Sequence, residues 1–171
     1  MLLITKKMYT LKLKIVNDNG FLSTLYKKQI EKVNYNLENN NNPDSGFDIY
    51  IQKEIEFPFT NRVIQTKKID FHIQCAMYDV HGRPSAFYIY PRSSISKSQF
   101  RLANNTGIID SGYRGNLAGY FDCFSSSTET IEKGSRLVQI CTPNLTPFRV
   151  VLVDNLDNTI RGSGGFGSTG K

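Results

Sequence analysis

From Met8 to Val16 apolar and polar residues alternate, with Tyr9, Leu11, Leu13 and Ile15 on one side and Thr10, Lys12 and Lys14 on the other. A period of two predicts a half-buried strand. Asn17-Asp18-Asn19-Gly20 then reads as a turn. Beyond it Leu22, Leu25, Tyr26, Ile30 and Val33 fall near helical spacing, with Ser23 placed to cap. That pattern predicts a helix over about residues 21–37, ending in the asparagine run before Pro43.

After Pro43 the period of two dominates. Short β-rich runs recur at residues 47–51, 69–75, 87–90, 108–109, 117–124, 137–141 and 148–153, separated by Pro58, Gly82-Arg83-Pro84, Asn104-Asn105, Gly112, Gly134 and Pro143-Asn144. Turns at this spacing predict an all-β sandwich or barrel. The last eleven residues, 161–171, hold five of the thirteen glycines, with too little bulk to pack as a strand or helix. The expected organisation is one β domain over residues 1–160, with a helical insertion at about 21–37, and a flexible segment over 161–171.

The 171 residues suit a single domain able to bury a core without disulfides or structural metal. Cys75, Cys123 and Cys141 are odd in number and far apart, which predicts reduced thiols in an intracellular protein. No apolar run is long enough to span a membrane, and the first residues lack the order of an export signal. A net charge of +6, scattered and without blocks, favours anionic partners or a solvated basic surface.

Four segments carry candidate chemistry. In residues 161–171, glycine backbone N–H groups together with Arg161, Ser168, Thr169 and Lys171 suit phosphate, and Phe166 suits stacking on a planar ligand. The alternative is a plain linker. Residues 165–171 match only the first seven positions of GxxxxGK[ST], without the following Ser/Thr and helix, so a P-loop is rejected. Arg92-Ser93-Ser94 is either a phosphate-binding cluster or a surface turn. In GIIDSGYRG (residues 107–115), Asp110 at the end of a buried strand either caps a turn or does chemistry. Asp48 stands alone inside an apolar run. With Arg92, Arg136 and Arg161 as donors, these two carboxylates suit metal-assisted phosphate chemistry. His72 and His81 lack metal-ligand spacing and read as structural. Aromatic and basic residues interleave too little for a nucleic-acid surface.

Taken in order, five segments resemble the motifs of the homotrimeric dUTPase family: SGFDI at 45–49, PRSS at 91–94, GIIDSGYRG at 107–115, KGSRLVQI at 133–140 and RGSGGFGSTG at 161–170. The resemblance implies a jelly-roll-like β-barrel in a threefold trimer with shared sites, soluble and intracellular, turning dUTP and water into dUMP and pyrophosphate with Mg²⁺. It implies no nucleic-acid or membrane partner. It makes Asp110 the general base and sets Tyr113 against the deoxyribose. Asn104 and the hairpin leading to Gly107 would hold uracil. Arg92, Ser93, Ser94 and Gln139 would take the α- and β-phosphates. Arg161, Ser168 and Thr169, with Gly167 among the substrate-binding residues, would clamp the γ-phosphate, Phe166 would cover the uracil, and Asp48 would reach Mg²⁺ through water.

Two positions depart from the family pattern. Gly112 stands where a second acid is common, and Ser94 where many members carry Gly. The helical insertion has no role in the pattern and is expected to be a surface appendage. A related family, dCTP deaminase, shares part of the third motif but needs a Glu where this chain has Arg114, which cannot shuttle protons. A catalytically silent nucleotide-binding protein on the same fold is the other alternative.

Overall fold

The computed structural model describes residues 7–61 and 64–164. In chain order these form β1 (Tyr9–Ile15), α1 (Phe21–Asn39), β2 (Gly46–Ile49), β3 (Ile55–Phe57), β4 (Gln65–Asp70), β5 (Ile73–Tyr78), β6 (Pro84–Ser85) and β7 (Phe87–Pro91). A 3-10 turn (Ser93–Lys97) follows, then β8 (Phe100–Leu102), β9 (Gly107–Ile109), β10 (Ala118–Cys123), β11 (Glu129–Ile131), β12 (Val138–Cys141) and β13 (Phe148–Leu152). The all-β class with one helix, expected from the alternation, is what forms.

The strands make four small sheets: β13-β1-β5-β6, β4-β10-β8, β11-β3 and β2-β12-β7-β9. Strand β1 is parallel to β13 and antiparallel to β5, and its Leu11 and Leu13 are fully buried. The inward residues of the other sheets join them: Phe47 and Ile49 of β2, Ile89 of β7, Phe121 of β10, Val138 and Ile140 of β12. Alternate residues face outward, which sets up the rows of polar side chains described below.

The apolar run at residues 69–75 is not one strand. It breaks at His72, whose φ of 55° turns the chain while Asp70 Oδ1 accepts the His72 N–H at 2.6 Å. Apolar continuity hides such a break, because both flanking strands bury their residues in the same core.

The cap of helix α1 departs from expectation. The helix starts at Phe21, as the spacing predicts, but Gly20 (φ 92°) turns the chain into it and Ser23 lies inside its first turn. The cap comes from Asp18, whose carboxylate accepts the N–H groups of Leu22 and Ser23 at 3.0 and 2.8 Å. Slight burial works against the ionised form, but these bonds outweigh it and hold the Asp18 carboxyl below its ordinary value.

Nor is α1 an appendage. Leu22 and Tyr26 are fully buried in the core. The Tyr26 hydroxyl accepts the N–H of Tyr50 at 3.1 Å, and Gln29 Nε2 donates to the Asp48 carbonyl at 3.2 Å, both beside edge strand β2. Further along, the Asn34 amide donates to Val150 O at 2.8 Å and accepts from Val150 N at 3.1 Å on edge strand β13. The helix therefore covers open edges of two sheets, where unpaired backbone groups would otherwise face solvent or another chain.

Candidate active site

Strands β2, β12 and β7 are in register so that Asp48 lies opposite Gln139, and Gln139 opposite Tyr90, all on the outward face. Two residues beyond Tyr90, Arg92 returns to the same face. Its Nε meets Asp48 Oδ1 at 2.6 Å, while Arg136 Nη1 meets Asp48 Oδ2 at 3.0 Å. One carboxylate thus fixes two guanidinium groups. Arg92 Nη1 also donates to the Arg136 carbonyl at 3.0 Å and to Ser94 Oγ at 3.2 Å.

Gln139 Nε2 donates to Pro91 O at 3.4 Å, and its amide lies over Gly46. A Cβ at Gly46 would come within 1.9 Å of Gln139 Oε1, so the glycine of the first motif is the seat of the glutamine of the fourth. These residues form one wall of a groove of about 1190 Å³ that includes Asp48, Arg92, Ser93, Arg136 and Gln139. Ser94 does not line it and instead supports Arg92.

A second cavity, about 130 Å³, collects Asn104, Gly107, Asp110, Tyr113 and Arg161. It sits at β9, the edge strand beside β7. This strand is not buried: Ile108 is 68% exposed and the Asp110 side chain 51%, which corrects the expectation of a carboxylate at the end of a buried strand. The apolar pair Ile108-Ile109 gave that impression, yet edge position leaves Ile108 outside. Asp110 Oδ2 pairs with Arg161 Nη1 at 2.8 Å, and among the described residues nothing bonds Oδ1.

The Tyr113 ring folds back over Gly115, where a Cβ would meet its hydroxyl at 2.5 Å, and the hydroxyl donates to Asn116 O at 2.9 Å. Burial pushes the Tyr113 phenol above its ordinary pKa. Arg114, 9% exposed, donates to the carbonyls of Ser111 and Tyr113 at 2.8 and 2.9 Å and pairs with Asp157 at 3.3 Å. It holds the loop and cannot serve as a deaminase acid. The chain returns to this loop at Gly162, whose carbonyl accepts the Arg114 N–H at 2.7 Å, and Thr159 Oγ1 donates to the Gly112 carbonyl.

The structure thus divides the expected residues into two groups. Arg161 falls with Asp110 and not with the phosphate residues. Phe166, Gly167, Ser168 and Thr169 lie outside the described residues. Arg136 enters the site more deeply than expected through its contact with Asp48, and the helix side of the groove was not foreseen at all. Among the described residues no group of three or more His, Cys, Asp or Glu could hold a metal. The three cysteines are free and buried, with burial pushing the Cys141 thiol up to about 11, so none is a nucleophile.

A groove with fixed guanidinium groups and a separate pocket with an open carboxylate oxygen are suited to phosphate chemistry. The comparisons narrow the class. The family model for dUTPase matches residues 36–170, and the chain belongs to the dUTPase family. Its fold expectation, jelly-roll-like and β-rich, stands with that membership. It is 30% identical over 148 residues to a deoxyuridine 5'-triphosphate nucleotidohydrolase of Paramecium bursaria Chlorella virus 1, covering 86% of this chain and 98% of that one. It is 41% identical over 83 residues to the enzyme of the same name from Escherichia phage T5, covering 48% of this chain and 56% of the relative. The chain spans about half the length of several curated relatives it matches. Among solved structures, the dUTPase from Streptococcus mutans aligns with a TM-score of 0.47 at 21% identity, over 65% of this chain and 82% of that one.

Proposed function

We propose that the protein hydrolyses dUTP to dUMP and pyrophosphate at sites shared between copies of a homotrimer. The observation that carries this reading is the placement of the two half-sites on one β-ladder. Strands β7 and β9 are antiparallel, with Phe87 opposite Ile109 and Ile89 opposite Gly107. Asp110 therefore lies level with Ala86, six residues from Arg92, or about 20 Å at strand rise. A base and a phosphate clamp must meet within a few ångströms of one phosphorus, so the clamp of one copy has to face the base of another. Contacts of this head-to-tail kind close into a ring where the rotation between copies closes, as the proposed trimer requires.

In that arrangement Asp110 Oδ1 takes a proton from water as the water oxygen attacks the α-phosphorus. The bond from that phosphorus to the bridging oxygen breaks, and pyrophosphate leaves. Positioned proton transfer contributes roughly 10²–10⁴ in rate. Arg92, Ser93 and Gln139 hold the α- and β-phosphates, with Ser94 steadying Arg92. Asn104 and the hairpin to Gly107 hold uracil, and Tyr113 rejects a 2′-hydroxyl. Residues 161–171, with Phe166, Gly167, Ser168 and Thr169, act as the lid. Arg161 reaches a γ-phosphate only by leaving Asp110, so lid closure and freeing of the base are one event.

Mg²⁺ fits as a cation carried in by the triphosphate. Among the described residues there is no cluster of ligands for it, and Mg²⁺ commonly binds through substrate phosphates with few carboxylates. When bound it neutralises phosphate charge, and Asp48, already held by two arginines, would reach it through water. Removal of dUTP keeps uracil out of DNA, which is work inside the cell.

The test is pyrophosphate release with Mg²⁺ from dUTP, dTTP, dCTP and UTP in parallel. Release from dUTP alone is expected. Silence with all four from a folded trimer overturns the activity, and ammonia from dCTP would revive the deaminase. EDTA should stop turnover while leaving the unfolding temperature unchanged, since the described residues form no cluster of metal ligands on which the fold could depend.

A further inference from the structure

Helix α1 lies almost wholly ahead of residue 36, where the family match begins, yet it forms the second wall of the phosphate groove. Leu25, Lys28, Gln29, Lys32, Val33 and Asn36 face into it. Their spacing of three and four puts them on one stripe of the helix. The stripe is fixed in place by Gln29 on the Asp48 carbonyl, Tyr26 on Tyr50, and Phe21 beneath Lys133 Nζ at 4.0 Å.

Lys28 and Lys32 are exposed, one turn apart, and neither has an ion-pair partner among the described residues. Like charges at this spacing weaken a helix. Two carboxylates line the groove: Asp48 is already taken by Arg92 and Arg136, and Asp44 makes no ion pair with either lysine among the described residues.

We propose that Lys28 and Lys32 form the outer end of the phosphate groove and bind a diphosphate: the β- and γ-phosphates of the nucleotide, and then the pyrophosphate that leaves. The proposal rests on the nucleotide reading above. Ammonium groups on flexible stems suit this end, because they follow a diphosphate as it departs, whereas Arg92 and Arg136 are locked by Asp48.

The experiment is calorimetric titration of inorganic pyrophosphate and, separately, dUMP into the full chain and into the double variant Lys28→Gln/Lys32→Gln. Glutamine keeps the helix propensity. Pyrophosphate affinity should fall roughly five- to tenfold, as two exposed ion pairs predict, with dUMP affinity unmoved and the KM for dUTP rising by a similar factor. Lys27→Gln, exposed and off the stripe, serves as the control for bulk charge and should change neither. Unchanged pyrophosphate affinity in the double variant, an equal loss for dUMP or with Lys27→Gln, or no pyrophosphate binding by the wild type each overturns the proposal. The titration needs no turnover. Lysine-dependent pyrophosphate binding in a protein that leaves dUTP intact would refute the hydrolase reading and keep the diphosphate site, and an active enzyme with unchanged affinity would do the reverse.

Discussion

The two half-sites are built in opposite ways. The phosphate groove stands on three strands in register, with helix α1 closing the far edge, and its charged groups hold each other: Asp48 with Arg92 and Arg136, Gln139 over Gly46. The carboxylate pocket stands on a three-residue edge strand, half-exposed, and its walls come from a loop and from the returning chain at residues 159–164. A groove that must bind a polyanion gains from donors fixed before the ligand arrives. On the proposed reading, a carboxylate that must be freed to act on water gains from a neighbour able to leave, and the Arg161 side chain paired with it is 37% exposed. The difference separates a preorganised half from a half completed on closure.

Mixing two dead variants would break this comparison most decisively. Asp110→Asn should lose at least about a hundredfold in kcat with dUTP still bound, and Arg92→Ala about as much through lost phosphate stabilisation. Each variant spoils a different half. If the halves meet across copies, co-refolding the two in equal amounts restores one intact site in four, so turnover should return to about a quarter of wild type per site. A mixture no more active than its parts would put both halves in one chain and refute the shared site.

A smaller effect comes from one glycine in each half. Gly46→Ala places a Cβ against the Gln139 amide, the movable end of a flexible side chain, so the side chain shifts and the fold survives. Losing one polar contact to phosphate costs about 1 kcal/mol, which predicts a KM for dUTP raised roughly fivefold with the unfolding temperature held. Gly112→Ala meets Arg161 Cβ at an ordinary 3.5 Å and should stay within about 0.5 kcal/mol in stability with KM unmoved. Equal KM effects from both would erase the distinction between a packed and an open half.

Much of this was legible from residues alone, and the failures have physical causes. The alternation in β1 follows from a period of two, which survives folding wherever one face is buried. The break at His72 was hidden because a turn between two core strands interrupts no apolar pattern. The exposure of Ile108 was hidden because two isoleucines say nothing about which strand is an edge. Strands β3, β8 and β11, of three residues each, are too short to leave a period. The groove stripe of α1 was present in the spacing of residues 25, 28, 29, 32, 33 and 36. A core-facing stripe through Leu22, Tyr26 and Leu37 overlapped it, and only the fold shows what the second stripe faces.

The smallest expected effect concerns what keeps the carboxylate pocket in shape. Asp157 accepts a hydrogen bond from the Tyr78 hydroxyl at 2.6 Å and pairs with Arg114, and these contacts hold its carboxyl below the usual carboxylate range. A depressed folded-state pKa means the stabilisation is fully present above the unfolded value of about 3.9 and fades as the pH falls through the folded value. The Asp157 side chain is 47% exposed, so solvent screening limits its worth to about 0.5 kcal/mol. Asp157→Asn should therefore be slightly less stable than wild type at pH 7, with the gap closing only below about pH 4. Urea midpoints across that range would read it directly. A gap that persisted unchanged to pH 2 would mean that Asp157 acts through shape and not through charge. In that case the loop carrying Tyr113 and Arg114 would be held by its backbone bonds to Gly162, and the pocket would be less adjustable than its exposure suggests.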